Sequence, residues 1–177
     1  GWESNKKFEV ALETGFLRDR IFLTTAYYFN RSSNQLVGAP LPGTTGFSSL
    51  YGNLDATVEN SGYELTLRTV NLTGEHFEWS TNFNISVNRN KLISFPGLKS
   101  STYANTYVVG EPTSIIKVYH YTGMNSTTGV YEFEDINDDG ITTALGDRQA
   151  LADLTPSYFE GLSNQFRYKG VQLDFLF

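Results

Sequence analysis

The eleven residues from Phe77 to Val87 alternate almost without a break. Phe77, Trp79, Thr81, Phe83, Ile85 and Val87 fall on one side, and Glu78, Ser80, Asn82, Asn84 and Ser86 on the other. Successive side chains point to opposite faces only in an extended chain, so this segment reads as a strand with one dry and one wet face. Just upstream, Tyr63, Leu65, Leu67 and Thr69 alternate with Glu64, Thr66 and Arg68, and Thr73-Gly74-Glu75 supplies a short turn between the two runs. Together they predict a hairpin. Phe8, Val10 and Leu12 form a similar run, followed by a connection from Gly15 to Arg20 and then Ile21, Leu23, Thr25, Tyr27 and Phe29. A last pair joins Phe166 and Tyr168, through Lys169-Gly170, to Val171, Leu173, Phe175 and Phe177. Helical periodicity is weak, and Thr142 to Leu154 is the best helix expectation.

Composition agrees with β structure. Charged residues are 18% of the 177, below the roughly 25% of ordinary soluble domains, and the chain carries 11 Tyr, 13 Phe and 2 Trp. Aromatic and β-branched side chains suit a pleated surface. A net charge of −6 argues against nucleic acid as a partner. With no cysteine there is no disulfide framework, thiolate metal site or cysteine nucleophile.

Between the hairpins, residues 36–57 and 94–114 are rich in Pro, Gly, Ser, Thr and Asn and read as long irregular loops, a kind that is usually functional. No apolar run approaches the length of a membrane-crossing helix, which leaves β-barrel strands open. The opening Gly1-Trp2-Glu3 carries no export leader, so a signal is expected upstream or already removed. Several strands can be read at 10 to 15 residues, against about 5 or 6 for globular strands and about 9 to 11 for bilayer crossing. Tyr27, Tyr28 and Phe29, or Phe77 and Trp79, would fit interfacial girdles. Two architectures remain open on pattern alone, a membrane barrel and a large soluble β-sandwich.

Ordered along nearly the whole chain stand Trp2-Glu3, Gly15-Phe16-Leu17, Arg20, Tyr27-Tyr28, Leu41-Pro42, Thr45-Gly46-Phe47 and Asn60-Ser61-Gly62-Tyr63-Glu64-Leu65. Phe77-Glu78-Trp79, Asn82-Phe83-Asn84-Ile85-Ser86, Asn90-Lys91 and Gly110-Glu111-Pro112 follow. After them come Tyr119, Gly123, Asp135 to Gly140, Asp147-Arg148 and Pro156. This ordered set resembles the SusC/RagA family of TonB-dependent outer-membrane transporters. The resemblance implies an all-β fold, an antiparallel transmembrane β-barrel segment of about seven or eight strands from a larger barrel, with long external loops. It implies that residues 1–177 are part of the C-terminal half of that barrel, the plug and N-terminal regions being absent. The implied setting is the cell outer membrane and its lipid. The implied function is import of glycan or peptide nutrients with a SusD-like surface lipoprotein, driven by TonB through the missing plug. The alternative is a soluble secreted β-sandwich that binds carbohydrate or mediates adhesion.

The most chemical-looking segment is Asp135-Ile136-Asn137-Asp138-Asp139-Gly140-Ile141, with Asp147 beyond it. Side-chain oxygens from Asp135, Asn137 and Asp139, a backbone carbonyl at Ile141 and the Asp147 carboxylate could wrap a structural Ca²⁺. The twelfth position is Gly146, where such a loop wants an acid. The competing reading is a solvated turn whose Asp and Asn cap their own backbone. His76 and His120 are far apart, and no nucleophile elbow, phosphate loop or HExxH occurs, so no enzyme is expected. Tyr103, Tyr107, Tyr119 and Tyr121 can either stack on sugar rings or pack loops together.

Overall fold

A computed structural model describes residues 1–40, 44, 46, 49–144 and 146–177. Leu41, Pro42, Thr45 and Phe47, quoted for the family resemblance, lie outside the described residues. Ten strands follow one another: β1 (Ser4–Phe16), β2 (Ile21–Pro40), β3 (Ser49–Thr73), β4 (Phe77–Ser94), β5 (Ile115–Val118), β6 (Tyr121–Met124), β7 (Tyr131–Phe133), β8 (Ala150–Asp153), β9 (Phe159–Tyr168) and β10 (Val171–Leu176). Six of them form one antiparallel sheet in the order β1-β2-β3-β4-β9-β10, and the four short ones form two two-stranded pieces, β5-β8 and β6-β7. The expected seven or eight strands thus resolve into six wall strands and four short loop strands.

The predicted hairpins are present. β1 pairs with β2 from Phe16↔Ile21 outward, β3 with β4 around the 73–77 turn, and β9 with β10 around Lys169-Gly170. At that last turn Lys169 and Gly170 both have positive φ, 45° and 86°, as a two-residue type I′ connection requires.

Two expectations are corrected. Among their described residues, 36–57 are not a long irregular loop, because β2 runs on to Pro40 and β3 starts at Ser49, paired as far as Pro40↔Ser49. Gly38, Pro40 and Gly52 sit in the far part of a hairpin longer than the about 9 to 11 residues that cross a bilayer, and cross-strand pairing overrides their local preference. Thr142 to Leu154 is not a helix among its described residues. The Asp147 carboxylate takes the backbone amide of Thr143, and Ala150–Asp153 pairs with β5 instead.

Directly paired residues share a face, so register sorts the wall into two surfaces. Outward rows are mostly apolar: Val10-Tyr27-Tyr63-Val87, then Leu12-Thr25-Leu65-Ile85, which ends on Glu160 in β9, then Thr14-Leu23-Leu67-Phe83-Leu162. The opposite face carries Glu9, Glu13, Tyr28, Asn60, Glu64, Arg68, Asn82, Asn84, Asn88 and Asn90. Among the described residues the only buried apolar ones are Ala56, Leu92 and Ile115, whereas Phe8, Val10, Leu12, Tyr63 and Leu173 are each more than half exposed. Among the described residues no second sheet of comparable size lies against it, and a wall of exposed apolar side chains on this scale belongs in lipid. The second layer that the sandwich alternative needs is not found among the described residues.

Candidate functional site

The polar face of the wall is the candidate site, and its centre is a ladder built across β2, β3 and β4. Tyr28 lies opposite Gly62, and Gly62 opposite Asn88. With no side chain on Gly62, the Tyr28 ring lies flat across β3 and its hydroxyl donates to Asn88 Oδ1 at 2.7 Å. A Cβ on Gly62 would come within 2.7 Å of that ring, so glycine is required by a close approach. Asn88 Oδ1 also accepts from Ser86 Oγ at 3.0 Å. One rung further out, Asn90 Nδ2 donates to Asn60 Oδ1 at 2.7 Å.

Asn90 also fixes the long connection from β4 to β5. Its Oδ1 accepts from the Thr113 amide at 2.7 Å and the Thr113 hydroxyl at 2.8 Å. Leu92 anchors the same segment twice, donating its amide to the Glu111 carbonyl and accepting from the Gly110 amide. The connection therefore folds over the polar face and not the apolar one, which marks the polar face as the interior of the curved wall. A cleft of about 360 Å³ lies beneath it, bordered by Ser32, Val58, Asn60, Leu92, Tyr103 and Tyr107. Tyr103 stacks on Tyr107 at 5.7 Å and meets Phe95 at 6.0 Å. Tyr119 packs on Phe133, and Tyr121 on Tyr131 and Phe133. Of the two readings of these tyrosines, packing of loops is the one their contacts describe.

Further out, Ser114 Oγ donates to Asp153 Oδ1 at 2.9 Å, and the Thr155 hydroxyl and amide donate to the same oxygen. The Thr155 hydroxyl, then its amide, then Ser114 hold the Asp153 carboxyl below its usual range.

The acidic segment is a compact turn. Asp135 accepts from the amides of Asp139 and Gly140 at 3.2 and 2.7 Å, and Asp139 Oδ1 from the Ile141 amide at 2.8 Å. Asn137 Nδ2 donates to Asp139 Oδ2 at 2.8 Å. Asp147 is fully buried behind them, with Oδ1 on the Ile136 amide at 2.9 Å and Oδ2 on the Thr143 amide at 2.6 Å. A Cβ at Gly146 would lie 2.8 Å from Asn137 Nδ2, which explains the glycine at the twelfth position. So Asp135, Asn137, Asp139 and Asp147 come together, and Ile141 contributes its amide to the same turn. Among the described residues no three His, Cys, Asp or Glu side chains converge as a metal cage.

Sequence reasoning found the alternation of Asn82, Asn84 and Ser86 but not the Tyr28-Gly62-Asn88 bridge or the Asn90–Thr113 latch. Gly62 inside an otherwise regular strand was the available signal, since glycine within a strand marks a bulge or a close approach.

No protein-family model matches the chain. Among curated proteins it is 30% identical over 203 residues to TonB-dependent receptor P3 of Formosa agariphila, covering 99% of this chain and 20% of that protein. TonB-dependent receptor SusC of Bacteroides thetaiotaomicron is 24% identical over 190 residues, covering 98% of this chain and 19% of its own length. Among solved structures, the RagAB peptide transporter aligns with a TM-score of 0.79 at 25% identity, over 99% of this chain and 21% of that chain. Over nearly its whole length the chain is similar to a segment of TonB-dependent receptors, SusC and RagA among them. It spans about a fifth of the length of the curated relatives it matches. The open six-stranded sheet is part of the wall of an outer-membrane β-barrel, with its apolar rows to the lipid and its Tyr28-Asn88 ladder to the lumen.

Proposed function

We propose that residues 1–177 are a partial barrel within a longer SusC/RagA-like transporter that imports glycan or peptide fragments across the outer membrane. The plug and the segment that contacts TonB lie in other parts of that polypeptide, and a SusD-like surface lipoprotein closes the outer mouth. The reading assigns transport and no catalysis. The observation that carries it is the latch of the β4–β5 connection onto the polar face. A channel wall must keep hydrogen-bonding groups towards its lumen and narrow the lumen with its own loops, and Asn90, Thr113 and Leu92 do both. The 'peptide transporter' description of RagAB favours a peptide.

The test is uptake by cells carrying the full-length polypeptide, in the presence and absence of a working TonB, with co-purification of surface lipoproteins after detergent extraction. TonB-dependent uptake and a stoichiometric lipoprotein are expected. Uptake unchanged without TonB, or a native polypeptide near 19.8 kDa that needs no detergent, would overturn the reading.

Ca²⁺ at Asp135, Asn137, Asp139, Ile141 and Asp147 is a proposal of the same kind, supported by the shared turn of the first four. Calorimetric titration of the full-length protein with Ca²⁺ tests it. Saturable heat that disappears in an Asp139→Ala variant supports it, and no heat in the native protein dismisses it.

A further inference from the structure

The outward face ends differently at the two rims. At the short-turn rim it closes with aromatic rings, Trp79 on Phe166 at 5.5 Å and Phe77 on Phe166 at 6.4 Å. At the long-loop rim the row Phe8-Phe29-Ser61-Arg89 is followed by Lys6-Arg31-Glu59-Lys91, four directly paired residues on four neighbouring strands. The row beyond is all hydroxyl: Ser4, Ser33, Thr57 and Ser94. The three cations are exposed, and the one carboxylate among them accepts from both Nε and Nη2 of Arg31. Arg31 also lies 5.3 Å over the Phe29 ring, which seats its guanidinium at the edge of the apolar band. Arg89, directly opposite Ser61, ends the row below on the same outward face and adds a fourth cation beneath Lys91.

Such a row is unfavourable for the wall by itself. Lys6 stands directly opposite Arg31, and like charges in that position repel. In a chain of net charge −6, among the described residues only Glu59 answers three cations, and its hydrogen bonds go to one. An anion held between them would relieve the repulsion. Its position is defined by what surrounds it: hydroxyl donors above, phenyl and aliphatic rows below. We propose that Lys6, Arg31 and Lys91, with the Ser4-Ser33-Thr57-Ser94 row, bind the phosphate groups of an anionic outer-leaflet lipid whose acyl chains lie along Phe8, Phe29, Val10 and Tyr27. Strands about 4.8 Å apart place Lys6 roughly 14 Å from Lys91, room for two phosphates on one head group. Arg31 supplies a planar fork for phosphate oxygens, the lysines supply point charges, and their stems lie on apolar surface. The inference rests on the barrel reading.

The test uses the full-length polypeptide purified from outer membranes in a zwitterionic detergent, with lipid A, dephosphorylated lipid A and inorganic phosphate as probes. Retained lipid is counted by native mass spectrometry. Lys6→Gln/Lys91→Gln leaves the Arg31–Glu59 pair intact and should lower lipid A retention about tenfold or more, with the heat-modifiable migration of a folded barrel unchanged. Equal retention by this variant overturns the proposal. So does equal retention of the dephosphorylated lipid, or displacement of lipid A by inorganic phosphate at matched concentration. A failure of the barrel reading would show earlier and separately, as a native protein that needs no detergent and has no heat-modifiable form.

Discussion

Tyr28 and Asn88 are joined by a 2.7 Å hydrogen bond although a whole strand lies between them. The bond exists because the intervening residue is Gly62. Gly62→Val should expel the Tyr28 ring, since a Cβ there would lie 2.7 Å from it, at about 1–3 kcal/mol for overpacking. Tyr28→Phe should cost about 0.5–1.5 kcal/mol by removing the hydroxyl alone. Denaturant unfolding of the full-length barrel, followed by heat-modifiable migration, measures both. If Gly62→Val costs the same in a Tyr28→Ala background as in the native one, the close approach is not what requires glycine.

Trp79 presents a second cross-strand dependence, on the outward face. Its indole Nε1 donates to Asn164 Oδ1 at 3.0 Å, the same oxygen accepts from Thr81 Oγ1 at 2.7 Å, and Asn71 Nδ2 donates to that hydroxyl at 2.7 Å. Polar side chains on a lipid-facing row are tolerable here because they satisfy one another beside the aromatic rim. Asn164→Leu should therefore destabilise the barrel by about 1–3 kcal/mol despite being more apolar, because it strands an indole N–H and a hydroxyl. Trp79→Phe in the Asn164→Leu background, which removes the stranded indole N–H, should recover part of that. A stabilising Asn164→Leu would mean that this edge is fully wet.

Asn90 should act as the latch of the inner loop. Asn90→Ala removes the acceptor of both Thr113 bonds and the donor to Asn60. The expected outcome is faster proteolytic cleavage within residues 95–114 of the full-length protein, with the wall strands still protected. Cleavage unchanged from the native rate would show that the Leu92 amide and carbonyl hold the loop without it.

What could be read in the sequence follows the range of the interactions involved. Alternation at Phe77–Val87 and the turn residues Gly74 and Lys169-Gly170 are local signals, and they placed the hairpins and the two faces. The Pro- and Gly-bearing stretch around residue 40 misled because its strand state comes from pairing with residues such as Tyr51 and Asn53, up to about 17 positions away in β3. The helical expectation at Thr142–Leu154 failed for a related reason: buried Asp147 recruits the Ile136 and Thr143 amides, and no periodicity reports a buried carboxylate. The cation row was invisible in one dimension, since Lys6, Arg31 and Lys91 become neighbours only through three registers.

Asp147 makes the outer loop sensitive to acid. Its carboxyl is held below the usual range, first by the Thr143 amide and then by the Ile136 and Asn137 amides, and burial opposes them without prevailing. A carboxyl with a depressed folded value stabilises the fold at pH above its unfolded value, and that contribution is lost as pH falls through the lower folded value. Protection of the Ile136 and Thr143 amides from hydrogen exchange, corrected for intrinsic rate, should hold from neutral pH down to the ordinary aspartate range and then fall progressively as pH drops through it towards the lower folded value. In Asp147→Asn the protection should be weaker at neutral pH and flat across the same window, because one of the two acceptor oxygens is replaced by a donor. Protection in the native protein that declines well above the ordinary aspartate range would mean that another group governs this loop.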